Sequence, residues 1–279
     1  MKESLEFPSF DLRCQSLNDF VIKLADEYRI GNIQSWEDLE VSTWYFFTSE
    51  RMNELESIAP GWKKMVSYSN GVTLVHVMCV FLGLFMLPEF QGASFEHQQL
   101  AKWIILFHDI EKVARNDERD LTHGFKSAIC AARTLPSLGF AKTQAYEHLI
   151  DSWSSFVSAA KTKPEGLKDY IQDNKKIPEI LDGIDAMFGG KSPAALIVKG
   201  VLLHMSINVV DDWPQAAPLT EDEINAYLEP NLCLLLKLMT LSDNEGWSMF
   251  YADEREQQRN DTLKAFEKIE KMLVRQNPA

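Results

Sequence analysis

Apolar residues recur along the chain at intervals of three and four, the spacing of one helix face, and no alternating run of β-branched residues bounded by hairpin turns stands among them. The pattern predicts an all-α fold. Helices are expected near residues 16–29, 36–57, 71–87, 94–109, 123–134, 141–159, 177–187, 193–207, 221–228, 231–252 and 256–275. Breakers separate them: Ser69-Asn70-Gly71, Leu87-Pro88, Leu135-Pro136, and the turn from Phe188 to Pro193. Within that turn, Gly189-Gly190-Lys191-Ser192 is superficially like the end of a phosphate-binding loop. The earlier glycine and the preceding strand are missing, so it reads as a helix connection.

The stretch from Val72 to Leu87 is nearly all apolar, but it falls short of the roughly 20 residues a bilayer requires and carries His76 near its start. It reads as a buried central helix, and no membrane partner is expected. The most polar internal section, 161–176, reads as a solvated connection or an insertion near the surface. No repeat, heptad array or low-complexity tract appears, and residues 1–279 are expected to form one globular unit. Its core would span 70–252, with a helical layer over 1–60 rich in Trp and Phe (Trp36, Trp44, Phe46, Phe47) and a charged closing helix over 256–275. The aromatic layer either covers the core or offers a surface to a second copy of the chain, which leaves a homo-oligomer open.

At 279 residues and 46% apolar, the chain can bury a substantial core. Its 28 basic and 41 acidic residues give a net charge of −13, which repels a nucleic-acid backbone and argues against duplex nucleic acid or an anionic membrane as partner. A local basic pocket for one small phosphate is compatible with that charge. Cys14, Cys79, Cys130 and Cys233 are widely spaced and lack a CxxC pair, which suggests reduced thiols and a cytoplasmic location. The N-terminus has acidic residues and no continuous apolar run, so a secretory signal is not expected.

Chemistry enters where polar groups interrupt apolar helices. His108-Asp109 follows Ala101-Lys102-Trp103-Ile104-Ile105-Leu106-Phe107, and a carboxylate in such a segment is costly unless a cation or a hydrogen-bond network compensates it. A metal is the economical explanation. His76 lies in another apolar helix, and Asp243 follows the Leu-rich segment before it. Taken alone, His76 reads more readily as a hydrogen-bonded core residue than as a ligand, and Asp243 as an ordinary helix-end residue.

In order, His76, His108-Asp109 and Asp243 resemble the H…HD…D motif of the HD superfamily, an all-α group dominated by metal-dependent phosphohydrolases. The likeness covers residues from about 70 to 250, with 32 positions from His76 to His108 and 134 from Asp109 to Asp243. It implies an HD-domain-like helical bundle with extra N-terminal and C-terminal helices. In members that hold two metals, further histidines between the pair and the last Asp complete the second position, and His123 and His204 match that order. The resemblance thus implies one or two divalent ions, among Mn, Mg, Fe, Co, Ni and Zn. Asp109 would bridge them, with His76, His108 and Asp243 on one ion and His123 and His204 on the other. His97 and His148 have no such context and read as surface residues.

The activity so implied is metal-dependent hydrolysis of a small phosphoester, whether phosphomonoester, nucleotide or phosphodiester, by metal-activated water. Asp109 and Lys112 would be the catalytic residues. Lys112 stands where many members carry the Lys of an HDxxK stretch, and reads either as a phosphate contact or as a solvated helix-end lysine. Arg119 and Lys126 flank His123 and either frame the same anion or are surface charges. Glu111 is a candidate for orienting water, and Asp211 and Asp212 either steady His204 or cap a loop. Ile110-Glu111 replaces the small Gly of many relatives, so the helix could run on past the pair and redirect Lys112. The same ligand order fits two other readings: a di-iron oxygenase of the HD fold, as in the myo-inositol oxygenase group, and a non-catalytic metal-binding sensor or scaffold.

Overall fold

Hydroxyl caps and prolines set where many of the helices begin. Ser35, Thr48, Ser94, Ser192 and Thr220 each accept the backbone N–H three residues on, satisfying a donor the first turn leaves free. The computed structural model describes residues 5–67, 71–113, 120–166, 168–206 and 219–276. Among them an N-terminal group comprises α1 (Phe10–Arg13), α2 (Gln15–Arg29), α3 (Trp36–Phe46), α4 (Ser49–Ile58) and α5 (Trp62–Met65). There follow α6 (Val72–Met86), α7 (Pro88–Gln91), α8 (Phe95–His108), α9 (His123–Thr134), α10 (Tyr146–Ala159), α11 (Ile177–Phe188) and α12 (Pro193–Leu203). Then come α13 (Glu221–Tyr227), α14 (Pro230–Ser248) and α15 (Ala252–Gln276). The protein is all-α, with one hairpin among the described residues, β1 (Lys161–Thr162) antiparallel to β2 (Ile171–Gln172).

The apolar helix α6 is the axis of the packing. Every residue from Thr73 to Leu84 is buried, and among the described residues no helix is long and apolar enough to cross a membrane. Glycines on facing helices bring α14 against it. A methyl at Gly83 would fall 2.5 Å from Glu245 Cβ, and one at Gly246 would fall 2.6 Å from Val80 Cγ2. Each glycine costs about 1 kcal/mol of helix propensity, so the close approach has to return more than that in packing. Helices α2, α3, α5 and α8 also pack on α6, while α9 and α12 pack on α8 and on each other, and one apolar cluster runs from Phe7 to Leu273.

The N-terminal group is fastened to α8 by a polar seam as well as by Phe10, which meets Trp103 edge-on at 5.3 Å. Lys102, 5% exposed, places Nζ 2.6 Å from Asp11 Oδ1 and 3.0 Å from Asn18 Oδ1. Gln99, fully buried, accepts from Ser9 Oγ at 3.0 Å and donates to Asp11 Oδ2 at 2.9 Å.

Several boundaries differ from the periodicity. The helix expected over 36–57 is broken at Phe47, because Thr48 caps a new helix. The polar section 161–176 is not wholly solvated: its hairpin buries Ile171 and Gln172. The segment 189–192 is the expected connection, with Gly189 in a positive-φ conformation and Ser192 capping α12.

The seam at Lys102 gives a stability test. Asp11→Ala removes the partner of a buried ammonium and is expected to cost about 1–3 kcal/mol, less than a fully buried pair because Asp11 is partly exposed. Adding Lys102→Met should recover most of that loss in urea unfolding; a double variant no better than the single one would contradict the account.

Candidate metal centre

Six of the residues singled out in the sequence converge on one interior point, carried by five helices. His76 lies one turn into α6, His108 ends α8, and Asp109 is the residue that caps it. His123 opens α9, and His204 caps the end of α12. Asp243 comes from within α14 rather than after it, so it is not an ordinary helix-end residue. The five other than Asp243 are 0–7% exposed; the Asp243 side chain keeps 34% of its surface in solvent, which marks the open edge of the site.

The potential ligand atoms fall into two groups that could hold a metal ion: His76, His108 and Asp243, and Asp109, His123 and His204. Asp109 faces both. Its Oδ1 is 2.9 Å from His123 Nε2, while its Oδ2 is 3.6 Å from His76 Nε2 and 3.7 Å from His108 Nε2. His76 Nε2 is 3.0 Å from Asp243 Oδ1, and His123 Nε2 is 3.2 Å from His204 Nε2. These separations suit ligands of a common ion bound at roughly 2 Å.

The backs of the imidazoles show why the fronts suit a cation. Each Nδ1 points at a backbone carbonyl: His76 at Gly246 (3.2 Å), His108 at Ile105 (2.8 Å), His123 at Asp120, and His204 at Val201 (2.6 Å). A carbonyl only accepts, so each Nδ1 carries the proton and each neutral ring presents a bare Nε2 to the interior. Bare nitrogens then face one another and face carboxylate oxygens, which is repulsive unless a positive charge lies between them. His108 Nε2 is buried with no hydrogen-bond partner among the described residues. Extra protons are a poor substitute. Burial, together with neighbouring His123 and His108, pushes His204 down to about 3, and burial likewise lowers His108. The donor set therefore fits metal binding.

Asp109 is held ionised. Burial works to raise it, but the Lys112 ammonium outweighs that and keeps the carboxyl well below its usual range. Asp243 too is held below its usual range, with the His76 ring against it. Lys112 Nζ lies 2.7 Å from Asp109 Oδ2; burial opposes its charge, yet Asp109 and Asp243 raise it above the ordinary lysine value. The helix does not run on past the pair. Asp109 leaves helical geometry and accepts Lys112 N at 3.0 Å, and this tight turn brings the side chain back onto Asp109.

Other candidates sit elsewhere. Lys126 Nζ is 2.8 Å and 3.0 Å from the two oxygens of Asp120 and largely faces solvent. Glu111 turns outward to Lys64 at 3.1 Å. Arg119, Asp211 and Asp212 lie outside the described residues. His148 is exposed, and His97 pairs locally with Ser94 Oγ at 2.7 Å.

Three contributors were not recognised from the sequence. Asp120 supplies the carbonyl behind His123 while its carboxylate accepts Val113 N and Thr122 N. Gly246 supplies the carbonyl behind His76, and a methyl there would fall 2.7 Å from His76 Cε1. Its signal was readable as a glycine retained inside an apolar helix three residues after an acid. Trp247 stacks on His76 with ring centres 4.1 Å apart; an isolated Trp in sequence carries no such information.

No family model, curated protein or solved structure matches the chain. The helical fold with its buried His/Asp groups is consistent with an HD-like site.

One outcome follows for the metal-stripped protein and one for the protein as purified. His204 and His108 have depressed folded-state values, so the unfolded chain protonates first as pH drops below about 6.5. Stability should hold above that pH and decline below it, by up to about 1.4 kcal/mol per pH unit per histidine. For His204 the window closes near 3. His204→Gln should flatten the decline in chemical denaturation at stepped pH; an unchanged slope would refute the assignment. Gly246→Ala should cost about 1–3 kcal/mol by overpacking and should lower bound metal in elemental analysis, since the methyl displaces His76.

Proposed function

We propose that the chain is a metal-dependent hydrolase of a small phosphoester. The observation that carries this reading is the division of the Asp109 carboxylate, one oxygen toward His123 and the other toward His76 and His108, with Lys112 on the latter. The resemblance to the HD superfamily adds support, because the same six residues stand out in the sequence by their order and by their place at polar breaks in apolar helices. Divalent ions held by the two groups would lower the pKa of attacking water and draw charge from a phosphoryl oxygen.

The chain's own residues have distinct tasks in this scheme. The imidazoles, fixed through Nδ1, keep Nε2 aimed inward and take no part in proton transfer. Asp109 joins the two groups. Lys112, its side chain 20% exposed, is a point charge able to meet a phosphoryl oxygen on the solvent side of Asp109. Substrate approaches past Asp243, the open edge. The net charge of −13 disfavours a long polyanion and favours one small phosphoester.

The reading is tested with protein purified without added metal, analysed for bound ions, then assayed with Mn, Mg, Co and Ni against phosphomonoesters, phosphodiesters and nucleotides. Metal-dependent phosphate release is expected, and Asp109→Asn should lower kcat by about two orders of magnitude or more, the scale of losing a group that binds both ions. Dioxygen consumption by coupled irons without phosphate release would overturn it in favour of oxygenase chemistry. Bound metal without any turnover would leave a sensor or scaffold.

A further inference from the structure

The N-terminal layer, which lies outside the region resembling the HD core, reaches the mouth of the metal centre. Helix α3 carries Trp36, Glu40 and Trp44 one turn apart on a single face. Trp44 lies against the start of α6, where a methyl on Gly71 would fall 2.3 Å from its indole. Trp36 lies parallel to Trp247 of α14, with planes 7° apart and ring centres 6.4 Å apart. Trp247 in turn stacks on the ligand candidate His76 at 23°, and Lys112 Nζ stands 5.6 Å from its ring centre.

Despite these contacts Trp247 keeps 49% of its surface exposed, and Trp36 is only half-buried. An indole needed only to shield His76 would gain by being covered. This pair instead keeps aromatic surface in water beside Lys112 and the partly exposed Asp243, at the edge through which a substrate enters. A flat ring one or two bonds from a phosphorus at Lys112 is within reach of the indole, and aromatic rings reward face or edge contact with another ring beyond the area they bury.

We infer that Trp36 and Trp247 form a stacking subsite that selects a phosphoester bearing a flat unsaturated ring, aryl or heteroaryl, over one bearing an alkyl group. The inference rests on the phosphoester reading above and adds the part of the substrate that is not phosphate. It assigns specificity to α3, an element outside the metal-binding helices.

The test is calorimetric binding of phenylphosphonate and cyclohexylphosphonate, which share the charged group and ring size but differ in flatness, to full-length protein loaded with Mn. Neither is turned over, so binding is read without activity. Phenylphosphonate should bind roughly three- to tenfold more tightly. Trp36→Leu, at a residue outside the six ligand candidates, should erase most of that preference while bound Mn, checked by elemental analysis, stays the same. Trp247→Phe should retain part of it. Equal binding of the two phosphonates by wild type, or preference unchanged in Trp36→Leu, overturns the subsite while the phosphoester reading stands. A dimer that Trp36→Leu dissociates in sedimentation, with the preference intact, overturns it in favour of contact between copies. Failure of both phosphonates to bind removes the phosphoester reading and the subsite with it.

Discussion

The Asp109 carboxylate is 1% exposed among bare imidazole nitrogens, and a charge so placed is untenable unless cations surround it. Lys112 supplies one positive charge at 2.7 Å, but Asp243 adds a second negative one nearby. The balance of the fixed charges is negative. Five helices meet at this point, α8, α9 and α12 by an end and α6 and α14 in passing, and the hydrogen bonds behind the rings keep their Nε2 lone pairs facing inward. Much of the local sequence serves that arrangement: a tight turn after Asp109, a helix that opens on His123, and one that stops at His204.

Packing is bent to the same end. Gly246 weakens α14 as a helix, yet it lets His76 lie against the backbone and use its carbonyl. Gly83 performs the complementary task on α6, admitting Glu245. Alanine would be the better helix former at both positions, but its methyl does not fit, so the two glycines give up propensity for the close approach that sets His76 against α14.

How much of this was legible in the sequence depended on the range of the signal. The all-α class followed from helical periodicity, and the six clustered residues followed from polar interruptions of apolar helices in a recognisable order. The end of α3 was misjudged because apolar spacing continues through Phe46 and Phe47, whereas the break is made by one hydroxyl, Thr48. The burial of Gln172 was invisible because its hairpin is embedded in lysines and acids that look solvated. Trp247 and Asp120 escaped for another reason: their roles depend on partners distant in the chain or on a backbone carbonyl, which no side-chain pattern announces.

The centre is also a closure over distance. His76 and Asp243 meet across 167 positions of sequence, and α7 to α13 with the hairpin lie between them. Short-range helices can form early, but this contact must await the emergence of α14, and bringing such remote points together carries a large entropic penalty. A cation bound at both would act as a reversible clasp on that loop, stabilising the folded chain by mass action in proportion to its own availability. Metal supply and the cooperativity of folding would thereby be linked where α6 and α14 meet at the site.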